Sequence, residues 1–527
     1  MKSAFLIVLA LICATASFGQ RKVKLKHANA LKGSAAASGV RTDWVVGDVV
    51  FEQNQTTIYC DSAIFDRNKN FVEAFGKIRI MEGDSVTVTA SKLTYDGNQK
   101  IAYLRKNVIF NKLGTATLYT DFLDYDRTKN VAKYFNNGKL VDSTNTLTSK
   151  KGYYDLHSNL ASFKTDVLGV NKDYTLTSDT LQYDSRNKLI FFRALTKLED
   201  KDGRIAYYEN GYYDTRQKKS DLEKGDLQTQ SYRLRGTRLF LDDVRKLYKA
   251  KGNVIMTSRE ENMNIYGDDG YYDKKSGISK VYGNAYVAKV TDQQDTLFIS
   301  ADTLMSVESA DPAKKRLLAY HHVKIFKSDM QGIADSMVYI AKDSMLYFYR
   351  DPVLWTDENQ MTADSIRILI LNKKINRIHM VSNSFVASAD TLLNFNQIKG
   401  RQMTAYFNGK AIDHVNVLGN GESIYFALQD KEREVEDAEE GTKEKFQIVS
   451  GMNKIVCSNM RINFLEGRVN NISFYIKPDA SFITPHELKK EDMKLKGFKW
   501  RGEEKPTRDE VVHKQIVKSP IKAVRKR

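Results

Sequence analysis

Eight aspartates recur along the first half of the chain at near-constant spacing. Asp66, Asp96, Asp126, Asp155, Asp184, Asp214, Asp242 and Asp273 follow one another at intervals of 28 to 31 residues. Regularly spaced carboxylates are candidate calcium ligands. Two carboxylates at i and i+2 of a strand, such as Asp124 and Asp126, share a face and are a candidate acid and base for glycoside hydrolysis. The surrounding residues argue against both chemistries. The Gly-Gly-x-Gly-x-Asp rhythm of calcium-binding solenoids is absent. Asp124 and Asp126 sit at an ordinary repeat position. Each closing aspartate instead opens a turn, as in Asp66-Arg67-Asn68-Lys69-Asn70 and Asp96-Gly97-Asn98-Gln99-Lys100. Asp, Asn and Gly suit such turns through local side-chain hydrogen bonds and tolerance of positive φ.

Other catalytic signatures are missing. There is no His-Glu-x-x-His, no Gly-x-Ser-x-Gly, no phosphate loop and no dinucleotide fingerprint. The eight histidines are scattered. His321 and His322 are adjacent and, on a strand, would point to opposite faces, so no metal site is expected. Cys60 and Cys457 stand near opposite ends of the repeats and are expected to stay reduced and partly buried. No catalytic residue, metal or cofactor is expected, and the chain reads as a non-enzyme.

The elements around the aspartates carry the clearer signal. The unit reads Ala90-Ser91-Lys92-Leu93-Thr94-Tyr95-Asp96, then Thr120-Asp121-Phe122-Leu123-Asp124-Tyr125-Asp126, then Ser178-Asp179-Thr180-Leu181-Gln182-Tyr183-Asp184. Apolar and polar residues alternate, which is the period of a strand with one buried face. After the turn comes a second strand, then a Gly or Asn corner and a short Val/Ile strand. Examples are Gly76-Lys77-Ile78-Arg79-Ile80 and Gly252-Asn253-Val254-Ile255-Met256. Later copies keep only the opening half: Ala301-Asp302-Thr303-Leu304, Ala334-Asp335-Ser336-Met337, Ala363-Asp364-Ser365-Ile366 and Ala389-Asp390-Thr391-Leu392. A corner lets the chain pass from one sheet to another. The fold class is therefore all-β: an elongated repeat stack of antiparallel strands in two facing sheets, jelly-roll or V-shaped, with a period near 30 residues. Tyr and Phe are plentiful and Pro is scarce (28, 25 and 6), which suits strands.

The organisation follows. Residues 1–20 read as a signal peptide: Lys2, an apolar run from Ala4 to Ala14, then small residues up to Gly19. Ile12 before Cys13 does not suit a lipobox. Residues 21–250 and 251–483 are the two halves of the repeat array. Asp430 to Lys445 is a charged insertion read as a solvated loop. Residues 484–527 form a basic tail, in which Pro485 and His486 to Lys490 suggest a short helix and the part beyond Pro506 reads as disordered. The formal charge is +17. The tail holds 14 Lys+Arg against 7 Asp+Glu, so it supplies +7, and the remaining +10 is spread over more than 480 residues. That density is too dilute for a nucleic-acid surface, and no nucleic-acid-binding signature is present. An anionic lipid remains a fitting partner.

The repeated Ala-Asp-Ser/Thr-Leu unit, its Tyr-Asp closure and the Gly-Asn-Val-type strand, behind an export signal, resemble the OstA-like family of periplasmic lipopolysaccharide-transport proteins. The resemblance covers roughly residues 22–430, with a weaker copy to 483. It implies antiparallel strands in two sheets forming a slightly twisted V, whose apolar groove shields lipopolysaccharide acyl chains. It further implies edge-strand pairing with other modules of a transport bridge, or self-association, and a place in the periplasm, with a possible association with the outer membrane. The chain is longer than the family's short bridge proteins, and a basic tail stands where its outer-membrane member carries a β-barrel. The groove residues implied are Ile78, Ile80, Leu93, Tyr95, Leu123, Tyr125, Leu181 and Tyr183. Two other readings compete. A structural or adhesive rod, binding protein or glycan, would have a filled core in place of a groove. A polysaccharide-processing enzyme would need a cluster of acids in one cleft.

Overall fold

The computed structural model describes residues 22–512, apart from 36–40, 85, 113–115, 230–231, 259–261, 292–294, 312, 341, 357, 373, 410, 435–442 and 466–467. The expected signal peptide lies outside the described residues, as do residues 513–527 of the tail. The described residues form 34 strands, and their pairings are antiparallel. The chain divides into two compact units, residues 1–223 and 224–527.

The repeat seen in the sequence is a pair of long strands. Val86–Asp96 runs one way and Ile101–Lys112 returns. The closing aspartate builds the turn between them. Asp96 Oδ1 accepts from the amides of Asn98 (2.8 Å) and Gln99 (2.9 Å). Asp66 does the same with Asn68 and Lys69, and Asp184 with Arg186 and Asn187. The last turn residue takes a left-handed conformation: Asn70, Lys100, Asn130 and Lys188 have φ between 54° and 62°. The aspartates are spent on backbone amides, which accounts for their period without calcium.

Every second long strand is broken in the middle by two consecutive residues with positive φ. The pairs include Gly76-Lys77, Lys106-Asn107, Asn136-Asn137, Gly252-Asn253 and Ser382-Asn383. The ladder register shifts at each, for example between Phe75 and Ile78. Two successive left-handed residues bend the strand, so its halves belong to two arms. At Gly76 (φ 71°) a Cβ would also stand 2.3 Å from Asp61 Oδ2, so glycine is required there. His321 and His322 form one such pair. They are corner residues and not alternating strand residues, and each reaches its own aspartate: His321 Nδ1 to Asp335 (3.2 Å), His322 Nδ1 to Asp302 (2.9 Å).

The two arms face each other across an apolar interior. In the first unit, Phe51 of one arm packs edge-on against Phe65 of the other, with centroids 5.3 Å apart, and Phe110 meets Tyr125 at 5.7 Å. In the second unit a continuous core runs from Val281 to Ile462.

Two segments differ from the sequence reading. The charged insertion is flanked by paired strand ends and not by loop: Asp430 to Glu434 pair with Gln447 to Lys443 as the ends of a long hairpin. Cross-strand pairs such as Lys445 with Glu432 help extend the ladder into a polar stretch. The tail from 484 to 512 is packed against the second unit. Residues His486 to Lys490 form turns; the helix is Arg508–Val511, closed by a Thr507/Glu510 capping box that the disorder reading overlooked.

That tail crosses one cross-strand row on the outer face of a single arm: Phe298, Phe326, Gln331, Trp355, Gln360, Ala387, Gln397 and Ile424. Gln397 accepts from Leu495 N (2.8 Å) and donates to Met493 O (2.8 Å). Gln360 accepts from Arg501 N (2.6 Å) and donates to Lys499 O (2.7 Å). The buried side-chain amides thus satisfy the tail's backbone much as another strand would. Leu495 sinks among Phe385, Ile424, Phe426 and Met452, and Val511 is fully buried.

Candidate functional site

The eight groove candidates all point into the interior of the first unit. Ile78, Ile80, Leu93, Tyr95, Leu123, Tyr125, Leu181 and Tyr183 are each at most 2% exposed. Their neighbours Phe122 and Asp124 are half-buried on the opposite face, as strand alternation demands.

Two cross-strand rows line this interior. On one arm the row runs Ile58, Ile80, Val88, Phe110, Leu118, Leu140, Leu147. On the other it runs Val72, Tyr95, Ala102, Tyr125, Ala132, Tyr154, Ala161, Tyr183. The alternation of tyrosine and alanine is steric, since each large ring lies over the small side chain of the next strand. Fully burying an aliphatic or aromatic side chain contributes about 1.5–3 kcal/mol, so these rows hold the unit together whatever else they do.

The tyrosines also span the mouth between the free ends of the arms. Tyr125 donates to Glu82 Oε2 at 2.6 Å. Tyr95 donates to Gln53 and accepts from Arg127 Nη1 at 2.8 Å, while the Arg127 guanidinium pairs with Glu82 at 3.4 Å. Tyr183 donates to Asp142, which also meets Lys188 Nζ at 3.2 Å. Lys112 reaches Asn159 Oδ1 (2.5 Å) and Leu156 O (2.9 Å). Apart from Tyr95 with Arg127, which share an arm, each contact joins residues from opposite arms, some 41 to 47 positions apart.

Burial and the accepting carboxylates keep the Tyr125 and Tyr183 phenols protonated, well above their ordinary range. Burial alone would raise the Asp142 carboxyl. The Tyr183 hydroxyl, the amides of Thr144 and Asn145 and the Lys188 ammonium outweigh it and hold the group at about 2. The partners Gln53, Glu82, Arg127, Asp142 and Lys188 were not among the sequence candidates. The available signal was a polar residue (Gln53, Glu82 or Asp142) closing an otherwise apolar strand.

The second unit has two inward rows of its own. The first reads Met256, Ile265, Val287, Ile299, Ile325, Gly332, Leu354, Met361, Val386, Ile398. Ile265, Val287, Ile299, Val386 and Ile398 are only half-buried. The facing row reads Ser306, Leu317, Tyr339, Leu346, Ile368, Ile378, Ala405, Val415. Ile368 and Ala405 stand at tyrosine positions of the repeat, Tyr339 keeps a tyrosine there, and Tyr232 ties to Glu308 of the other arm.

Both cysteines, Cys60 and Cys457, are buried and reduced. Among the described residues no three His, Cys, Asp or Glu side chains cluster as metal ligands. No helix of the described residues is long and apolar enough to cross a membrane. At the C-terminal end, Arg468–Tyr475 and Asp479–Ile483 each pair on one side with Lys443–Leu465, and Tyr475, Ile476 and Phe482 are exposed there.

A two-armed antiparallel repeat with an apolar interior is the class of protein that this geometry defines. Residues 20–179 match the family described as OstA-like protein, and the chain is similar to that family over that stretch. No curated protein matches the chain. Among solved structures, LptH from Pseudomonas aeruginosa is similar to part of the chain, and it is described as the LptA-homologous periplasmic component of the conserved lipopolysaccharide transport device. The similarity covers 23% of this chain and 83% of LptH, at 17% identity and a TM-score of 0.20, too low to carry an argument.

Proposed function

We propose that this chain is a non-enzymatic, periplasmic lipopolysaccharide-binding protein that shields acyl chains between its arms and helps carry lipopolysaccharide to the outer membrane. The observation that carries this reading is the inner row of the second unit, where Ile265, Val287, Ile299, Val386 and Ile398 are apolar and only partly buried at the edge of the core. Such a surface gains about 0.8 kcal/mol for each methylene it removes from water. The sugar and phosphate head stays outside, where lysines and arginines can pair with phosphate. The one-sided strands at the C-terminal end suit edge pairing with another OstA-like module or a second copy.

One observation favours the structural rod instead. The interior of the first unit is filled, with its groove candidates at most 2% exposed. Photo-crosslinking in living cells separates the two readings. A probe at Ile398, and at Leu123 and Tyr125, faces inward; a probe at Phe122 or Asp124 faces outward. Lipopolysaccharide adducts confined to inward positions are expected. Adducts at none of them, in a folded and exported protein, leave the rod.

A further inference from the structure

We infer that the cross-mouth side chains of the first unit are a latch, and that acyl chains enter its interior only when the latch opens. The inference rests on the lipid-binding reading and concerns how that site is regulated.

The argument starts from what each tyrosine does. A tyrosine that merely filled the core would need one hydrogen-bond partner, and the nearest backbone would serve. Tyr95, Tyr125 and Tyr183 instead reach the opposite arm, to Gln53, Glu82 and Asp142. The hydroxyls are tied into two sets, one around Glu82 and one around Asp142. Arg127 joins Tyr95 to Glu82, Glu82 joins Arg127 to Tyr125, and Lys188 supports Asp142. Beneath them lies a surface with the chemistry of an acyl site: Ile80, Val88, Phe110 and Leu118, at most 3% exposed. An alkyl chain cannot reach these residues while the rings and carboxylates bridge the mouth.

The ties are also of a separable kind. They join side chains at the free ends of the arms, so they can break without unpairing a strand. Their components have partners in the open state: water for Glu82 and Asp142, and lipid phosphate for Arg127 and Lys188. An entering headgroup thus exchanges one set of charge-assisted bonds for another while its chains replace the rings. In the second unit Ile368 and Ala405 occupy two of the corresponding positions, and the tie between the arms there is a different one, from Tyr232 to Glu308.

The test uses the full chain, purified lipid A as the probe, and photo-reactive residues at Leu123 (first unit) and Ile398 (second unit). Tyr125→Phe with Tyr183→Phe keeps both rings and removes both ties. This pair should raise the adduct yield at Leu123 at least about threefold, the effect of losing hydrogen bonds that hold a closed state. In a separate variant, Glu82→Cys and Tyr125→Cys bridged by a bismaleimide should lower that yield roughly tenfold relative to the unbridged variant. The yield at Ile398 should not change in either case, and circular dichroism confirms folding. Unchanged yield at Leu123 in both variants, with adducts intact at Ile398, overturns the latch and leaves lipid binding standing. Adducts at neither position overturn lipid binding and the latch together.

Discussion

Each unit has two inner rows, and the residues in them differ in size and in burial. In the first unit the row Tyr95, Ala102, Tyr125, Ala132, Tyr154, Ala161, Tyr183 alternates a long polar-tipped side chain with a methyl. Every ring lies over an alanine, and three hydroxyls cross to the other arm. In the second unit the row begins with Tyr248, Tyr272, Ser279 and Ser306 and turns aliphatic towards its end, through Leu346, Ile368, Ile378 and Ala405. In its facing row Met256, Ile325, Leu354 and Met361 are buried, while Ile265, Val287, Ile299, Val386 and Ile398 are only partly buried. The second unit carries its extra stabilisation outside, where the tail lies on the glutamine row of one arm. One backbone repeat thus supports a fully buried interior row or a partly buried one.

The comparison can be broken by measurement. Leu123→Ala should cost about 2–5 kcal/mol in urea unfolding, because it empties a filled interior. Ile398→Ala should cost roughly half as much, since its side chain is already partly in water. Equal costs would mean that the two interiors are equally packed.

Tyr125→Phe should cost about 1.5–3 kcal/mol, since a buried hydroxyl bound to a carboxylate is lost. Hydrogen exchange should rise at the strand ends near Glu82 and Tyr125 and stay unchanged in the second unit. Exchange that rises evenly along the chain would remove the distinction between tie and core.

Gln397→Leu leaves Leu495 N–H and Met493 C=O without their partner, a cost of about 1–3 kcal/mol. Here the expected readout is local. Trypsin should cut after Lys494, Lys496 or Lys499 much sooner than in the parent, with the first unit untouched. A tail that stays resistant would show that apolar contacts of Leu495 and Val511 hold it unaided.

Acid should weaken the first unit through Asp142. Its folded carboxyl sits at about 2, below the ordinary carboxylate value. The unfolded state therefore binds the proton more readily, so this group's contribution is present above about pH 4 and fades as pH falls towards 2. Asp142→Asn should flatten the acid side of the melting profile. An unchanged slope would assign acid sensitivity to other carboxylates.

The smallest effect concerns the thiols. Burial, and then the neighbouring Asp61, pushes Cys60 up to about 12, and burial also raises Cys457. Both should resist alkylation in the native protein and react only on unfolding. Rapid labelling of Cys457 alone would mean that the end of the second unit opens readily.

Much of this molecule is legible in its residues because strand repeats are local. The 28-to-31-residue spacing of the closing aspartates, the Leu-x-Tyr alternation and the Gly-Asn corners each reflect a constraint met within a few residues. Asp96 has to accept from Asn98 and Gln99, and Gly76 has to turn left-handed. Hence the strands, the turns and the inward set from Ile78 to Tyr183 can be read directly. The adjacent histidines misled because a corner suspends the alternation on which the strand reading relied.

What the sequence alone determined, then, is the all-β repeat, its register and which side chains face inward. What only the tertiary structure decided is how the interior is closed and what covers its outside. Tyr125 meets Glu82 across 43 positions, and Gln360 meets Arg501 across 141. Periodicity sets the face on which a side chain lies, but the partner it finds there depends on how separate strands are brought together, which no local pattern encodes.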